Sequence, residues 1–245
     1  MLPPRGIAVA RFDRRGYDVP FGEQVSDTLD VIADLRARPE IDDTRIGLWG
    51  FSQGAWIAPL VASRSDHVRF LVLIASVGVT PAEQMLYGTA KHVRDAGHGD
   101  EAADRVSRTR RIVDEWRRGR VPIEVAQRAV DEIASEKWFD LAYVHRDLSQ
   151  AGAWPDMDFD PTAIFAKVKV PVLLFYGEDD EWQPIDASVA AWRASAERAG
   201  NRDVTVARVR GSGHAPTLGG LQTIDAVSPE YERTLIEWVA RVTRQ

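Results

Sequence analysis

Ser52 stands between two spaced glycines in Gly50-Phe51-Ser52-Gln53-Gly54, and a serine hydroxyl at such a place can attack a carbonyl if the chain turns sharply there. Each glycine has a steric purpose in a turn of that kind. The serine must take a strained backbone conformation, and a side chain two residues to either side would crowd the adjoining strand and helix. A serine also needs a base to take its proton, and the base needs an acid to orient it. Of the five histidines, His92, His98 and His145 lie in polar helical stretches and His67 follows Ser65-Asp66 in a turn. His214 differs, because Gly211-Ser212-Gly213-His214-Ala215-Pro216 is a pliable loop directly after the strand-like run Val204–Val209. Between Ser52 and His214, four carboxylates follow the apolar run Val170–Tyr176 in Gly177-Glu178-Asp179-Asp180-Glu181, and residue types alone do not choose among them.

These groups need a scaffold that delivers each at the end of a strand. The pattern reads as strands over Ile7–Asp13, Arg45–Trp49, Arg69–Ala75, Val170–Tyr176 and Val204–Val209, alternating with helices near Val25–Ala37, Gln53–Ser63, Ile185–Ala199 and Ser228–Val242. Ser228-Pro229 supplies an N-cap and a first-turn proline to the last helix. Such alternation predicts an α/β fold, a mostly parallel sheet of about five strands flanked by helices. The stretch from Pro81 to Pro161 reads as helices without a strand, so residues 81–161 are expected to form a helical cap inserted into a core made of residues 1–80 and 162–245.

The segment from Gly177 to Pro184 has the form Gly-x-x-Asp-x-x-x-Pro, and with Ser52 and His214 it resembles the α/β-hydrolase superfamily. Gly6–Gly16, ending in Asp13-Arg14-Arg15-Gly16, looks like the strand and Asp-x-Arg-Gly turn that precede the nucleophile strand in esterases of that superfamily. The resemblance implies a catalytic triad of Ser52, Asp180 and His214, with Asp180 chosen from the four carboxylates on this ground. It also implies an oxyanion donor at the backbone N–H of Gln53. The superfamily places two or three strands before the Asp-x-Arg-Gly strand, and this sequence has no counterpart of them. Ile7–Asp13 is therefore expected to pair directly with the nucleophile strand in a right-handed β-α-β unit, with a backbone N–H at Arg14 or Arg15 as the second oxyanion donor.

Composition fits an ordinary globular enzyme: 245 residues, 44% hydrophobic, 28% charged, net charge −6. An acidic balance speaks against nucleic-acid binding. The absence of cysteine excludes disulfides and thiolate metal sites, no run reaches membrane-spanning length, and the cytoplasm is the expected compartment. No His-Glu-x-x-His, phosphate loop or Gly-x-Gly-x-x-Gly is present, so no cofactor is expected.

Within the insertion, Arg105–Arg120 is arginine-rich and reads first as a solvated helix face, with a phosphate-bearing acyl donor such as coenzyme A as the alternative. Trp138, Phe139, Tyr143 and Trp154 are expected to pack the cap on the main domain or to line an apolar acyl pocket, and both can hold together. The whole pattern is that of a serine hydrolase acting on a small carboxylic ester. A thioesterase or peptidase with the same triad, and a hydrolase-like binding domain without a complete oxyanion hole, are the alternatives. Homodimerisation is left open.

Overall fold

Short apolar runs bounded by glycine, proline and charged residues become the strands of one sheet. The computed structural model describes residues 1–16, 18–221 and 223–244. In chain order it shows α1 (Phe21–Arg36), β1 (Gly47–Phe51), α2 (Gly54–Ala62), β2 (Phe70–Ile74), α3 (Pro81–Asp95), α4 (Gly99–Arg117) and α5 (Ile123–Asp131). Then follow α6 (Pro161–Phe165), β3 (Val172–Gly177), α7 (Ile185–Ala199), β4 (Val204–Val209) and α8 (Pro229–Val242). Among the described residues the sheet has four strands in the order β1-β2-β3-β4, all parallel. The registers Gly50↔Leu73, Leu73↔Leu174 and Leu174↔Val206 run straight across it.

The two central strands are apolar at every position because both of their faces are covered. On one face Phe70, Val72, Leu173 and Phe175 meet Tyr231, Leu235 and Trp238 of α8. Ring centroids there lie 4.6 Å apart for Phe175 and Tyr231, and 5.9 Å for Phe70 and Trp238. Beyond the sheet's end, Trp192 of α7 stacks on Phe165 at 3.8 Å and donates its indole N–H to Ser76 Oγ at 2.9 Å. Tyr176 donates its hydroxyl to the Ser76 carbonyl at 2.8 Å, and burial pushes the phenol's pKa well up.

The sheet has four strands where about five are expected, because residues 7–13 form none and no residue of β1 pairs with them. Energetics explain the difference. Ordering a residue costs about 1–2 kcal/mol, a backbone hydrogen bond returns a net of about 0.5–1.5 kcal/mol, and buried side chains must supply the rest. Here Val9 and Phe12 stay 62% and 44% exposed. Leu2 and Ile7 do reach the core, beside the α8 face, and two arginines beyond them find partners off the sheet. Arg15 pairs with Asp27 and Glu23 of α1, and Arg14 donates to the Gln53 side chain. β1 is thus an edge strand, and Trp49 on it is 54% exposed.

The chain divides into two compact units. One comprises Met1–Val79, Asp160–Asp180 and Ile185–Gln245; the other comprises Thr80–Phe159 with Glu181–Pro184. The second unit is helical and has its own core, in which Val93, Val106, Val113, Val130, Ile133 and Leu148 pack with Trp138 and Phe139. Thr80 opens α3 with a reciprocal capping box to Glu83. The arginine run is not uniformly solvated. Arg105 and Arg118 pair with Glu136 and Asp158, whereas Arg110 is buried. A groove of about 390 Å³ between α3 and α4 is lined by Arg94, Arg108 and Arg111, but also by Glu83 and Asp104, whose charges oppose a phosphate.

Leu173 is fully buried in the central strand β3. Leu173→Ala is expected to cost about 2–5 kcal/mol, a large share of a typical total of roughly 5–15 kcal/mol. Urea unfolding followed by circular dichroism measures it.

Candidate active site

Three loops leave the C-terminal ends of β1, β3 and β4, and each carries one of the groups that acyl transfer needs. Two residues separate β1 from α2, and the first of them, Ser52, sits at φ +52°, in the left-handed region that side chains disfavour. Two hydrogen bonds hold it there. The Ser52 N–H donates to the Ile74 carbonyl of β2 at 3.0 Å, and the Ala55 N–H donates to the Ser52 carbonyl at 2.9 Å.

The two glycines beside Ser52 do different things. A Cβ on Gly50 would run into the Gly54 carbonyl and come within 3.0 Å of the Ala55 nitrogen, whereas a Cβ on Gly54 would meet nothing within 4 Å. Only Gly50 is demanded by crowding; the expectation that both are needed for that reason is corrected.

The Ser52 Oγ lies 2.9 Å from His214 Nε2. On the other side of the ring, His214 Nδ1 lies 3.0 Å from Asp180 Oδ2 and 3.2 Å from Oδ1. With Nδ1 protonated and donating to the carboxylate, Nε2 is free to accept the serine proton. The Asp180 side chain has no solvent exposure and that of His214 about 19%, so the pair is screened little by water. The other three carboxylates of the acidic turn lie elsewhere. Glu178 is 3.8 Å from Arg210, Glu181 is 3.6 Å from His92 in the helical unit, and Asp179 uses its backbone N–H on the Ser212 carbonyl at 2.9 Å.

Two residues that sequence reasoning passed over shape this geometry. Phe51 packs against the His214 ring at 5.1 Å between centroids, which limits the ring's swing. Gly177 ends β3 where a Cβ would collide with the carbonyls of Ser212 and Gly213, so the acid and histidine loops touch backbone to backbone. Its place at the head of the Gly-x-x-Asp-x-x-x-Pro segment was the available signal.

Gln53 caps α2, and its backbone N–H has no acceptor among the described residues. Its side-chain carbonyl accepts from the Arg14 guanidinium at 2.6 Å. That bond brings the Asp13–Gly16 turn to the nucleophile turn through a side chain. Of the four aromatics considered for a pocket, Trp138 and Phe139 are 4% and 3% exposed and belong to the helical unit's core. For these two the structure shows the packing role, in the core of that unit. Trp154 is half-buried with Arg117 over its ring at 5.4 Å, and Tyr143 is 51% exposed.

The steric difference between the glycines has a direct test. Gly54→Ala should keep ester turnover within roughly a factor of two of the parent, whereas Gly50→Ala should lose on the order of 10²-fold or more, because the nucleophile is displaced. Equal activity of the two variants would contradict the contact geometry.

No curated protein sequence matches the chain significantly. Among solved structures the fold is similar to that of DcsB, solved in complex with its substrate analogue, at 16% identity, covering 94% of this chain and 75% of that one, with a TM-score of 0.53. It is similar to an esterase of Pyrococcus furiosus at 14% identity, covering 91% and 60%, with a TM-score of 0.50. Acylaminoacyl peptidase of Pyrococcus horikoshii matches at 15% identity, covering 91% of this chain and 28% of that one, with a TM-score of 0.50. Residues 2–226 match the alpha/beta hydrolase family, and over that span, with a parallel sheet delivering serine, acid and histidine from successive strand ends, the chain belongs to that family.

Proposed function

We propose that this protein is a serine hydrolase that cleaves carboxylic esters through an acyl-enzyme intermediate. The observation that carries the reading is the unbroken relay from Asp180 through His214 to Ser52, with contacts of 3.0 and 2.9 Å. His214 removes the Ser52 proton as Oγ attacks the ester carbonyl, and the resulting imidazolium is stabilised by Asp180. His214 then gives that proton to the departing alkoxide, leaving an acyl-serine and a free alcohol. Water, deprotonated by the same imidazole, attacks the acyl-serine and releases the acid, with the proton returned to Ser52. The Gln53 N–H, at the positive end of α2, supplies one donor to the tetrahedral oxyanion. Arg14, tied to Gln53 through its guanidinium, is the proposed source of the second.

The triad chemistry is common to esters, thioesters and peptides, because leaving-group preference lives in the surroundings of the acyl group. A panel of p-nitrophenyl esters, acyl thioesters and peptide anilides ranks the three by kcat/KM. The ester reading requires the first to lead.

Ser52→Ala is expected to abolish p-nitrophenyl acetate turnover and labelling by a fluorophosphonate probe while leaving the circular dichroism spectrum unchanged. Retained turnover excludes Ser52 as nucleophile. Asp180→Asn should lower kcat on the order of 10⁴-fold, as removal of the acid's charge does in the serine-protease triad. Asp179→Asn should leave kcat near the parent, since its contribution runs through the backbone.

A further inference from the structure

Beside the catalytic histidine, the edge strand β1 turns two aromatic side chains outward. Successive residues of a strand alternate between its faces, so Trp49 and Phe51 share one face, and their ring centroids stand 6.3 Å apart. Phe51 in turn meets the His214 ring at 5.1 Å between centroids and 49° between planes. A strip of three rings thus runs from the imidazole along the edge strand, all of it within the unit that holds the sheet. Its surface is open: Trp49 is 54% and Phe51 36% exposed, while Gly50 between them is buried. Single exposed apolar side chains are ordinary on a protein surface, but these two are neighbours, and one of them touches the general base.

Trp49 is also held in place. Its indole N–H donates to the Tyr231 hydroxyl at 3.0 Å. Tyr231 is buried, and its ring stands against Phe175 of β3 at 4.6 Å and 62°, so the acceptor is fixed by the core. A tryptophan on the surface without such a bond has rotamers to lose when something binds it. One whose ring is already fixed offers a flat apolar surface at little cost in side-chain entropy.

The chemistry decides which half of a substrate meets this strip. His214 hands the serine proton to the leaving oxygen, so that oxygen must come within hydrogen-bond reach of Nε2, about 2.6–3.2 Å. The acyl carbon is bonded to Ser52 Oγ at that stage, with its oxygen turned to the Gln53 N–H. The group carried on the leaving oxygen is therefore the part that lies beside the imidazole, where Phe51 is exposed and Trp49 continues its face. We propose that Phe51 and Trp49 form the subsite for the alcohol half of the ester and are specificity-determining residues that favour flat, apolar arylmethyl alcohols as leaving groups. The proposal rests on the triad reading and deepens it, naming the substrate class that the same site selects.

The acetates of ethanol, benzyl alcohol and 2-naphthylmethanol have leaving groups of similar basicity, so their kcat/KM values compare contacts made by the alcohol half. In the parent, kcat/KM should rise along that series, on the order of 10²-fold from ethyl to 2-naphthylmethyl acetate. Trp49→Ala should cut the ratio of 2-naphthylmethyl to ethyl acetate about tenfold. The ratio of ethyl 2-naphthylacetate to ethyl acetate, which varies the acyl half instead, should not follow it. A parent without the arylmethyl preference, a folded Trp49→Ala with the parent's alcohol ratio, or a loss confined to the acyl series would each overturn the proposal. Titration of the parent with 2-naphthylmethanol should move the His214 Cε1–H proton resonance, assigned by its loss in His214→Ala, in a saturable way that ethanol does not reproduce. No movement would also overturn the subsite. That titration requires no turnover, so it decides the subsite even where the parent neither cleaves esters nor takes the fluorophosphonate, a result that would refute the triad reading itself.

Discussion

Everything at the active site depends on how closely the loop after β4 approaches the end of β3. At Gly177 the two backbones are so near that no Cβ fits between the strand end and the carbonyls of Ser212 and Gly213. Two further bonds, from Glu178 N–H to the Val209 carbonyl and from Asp179 N–H to the Ser212 carbonyl, lace the loops together. Because the strands are in parallel register and adjacent, their C-terminal ends lie side by side, and the laced loops can carry an acid and an imidazole into contact. A carboxylate with no exposed surface is then tolerable, since the ring nitrogen satisfies it. Loosening the loops would leave that charge buried without its partner, a cost of several kcal/mol, so the same contact that sets the chemistry also stabilises the fold.

The nucleophile is placed by a different device, strain held by the sheet. Ser52 at φ +52° costs of order 1–3 kcal/mol, and its N–H bond to the Ile74 carbonyl ties the cost to the integrity of β2. β2 is buried along its whole length, which makes it a rigid anchor. Its partner β1, by contrast, is an edge strand with an exposed tryptophan. The turn is therefore fixed from the central side of the sheet, and on the outer side the described residues add the Arg14 contact to Gln53.

Legibility in the sequence followed burial. Val204–Val209 and Ile185–Ala199 form the strand and helix expected at those residues, and β2 and β3 fall within two residues of their expected ends, because a buried apolar run or an amphipathic period is stated by the residues themselves. The proline-capped start of α8 was equally plain. Ser52 and His214 could be singled out by their loops, and Asp180 by a spaced glycine and proline. Ile7–Asp13 misled because a strand-like pattern states only what a segment could bury, and this one buries little beyond Ile7. What crowds Gly177 could not be read from its motif, for the opposite reason. A glycine records the removal of a side chain, and what occupies the vacated space comes from residues far away in the chain. Trp138 and Phe139 were ambiguous for a third reason, since an aromatic suits a core and an acyl pocket equally well, and their packing in the helical unit comes from residues far away in the chain.

Arg110 shows why that unit cannot be an indifferent hydrophobic bundle. Burial pulls its guanidinium down to about 10, with Asp114 acting in the opposite direction, so it remains charged at neutral pH inside an otherwise apolar core. The same burial raises the Asp114 carboxyl, which stands 4.0 Å from Arg110. A buried ion pair at that distance is weak support for stability, and an apolar pair of similar volume would pack the core at least as well. What an apolar side chain could not do is satisfy two carbonyls exposed by a left-handed aromatic residue, whose desolvation would otherwise cost about 1–3 kcal/mol each. The charge is thus matched to the turn at Ala142–Tyr143 more than to Asp114. A fold that keeps a charged side chain in its core to hold one strained tyrosine is specifying where that tyrosine's ring goes, edge-on to Trp182.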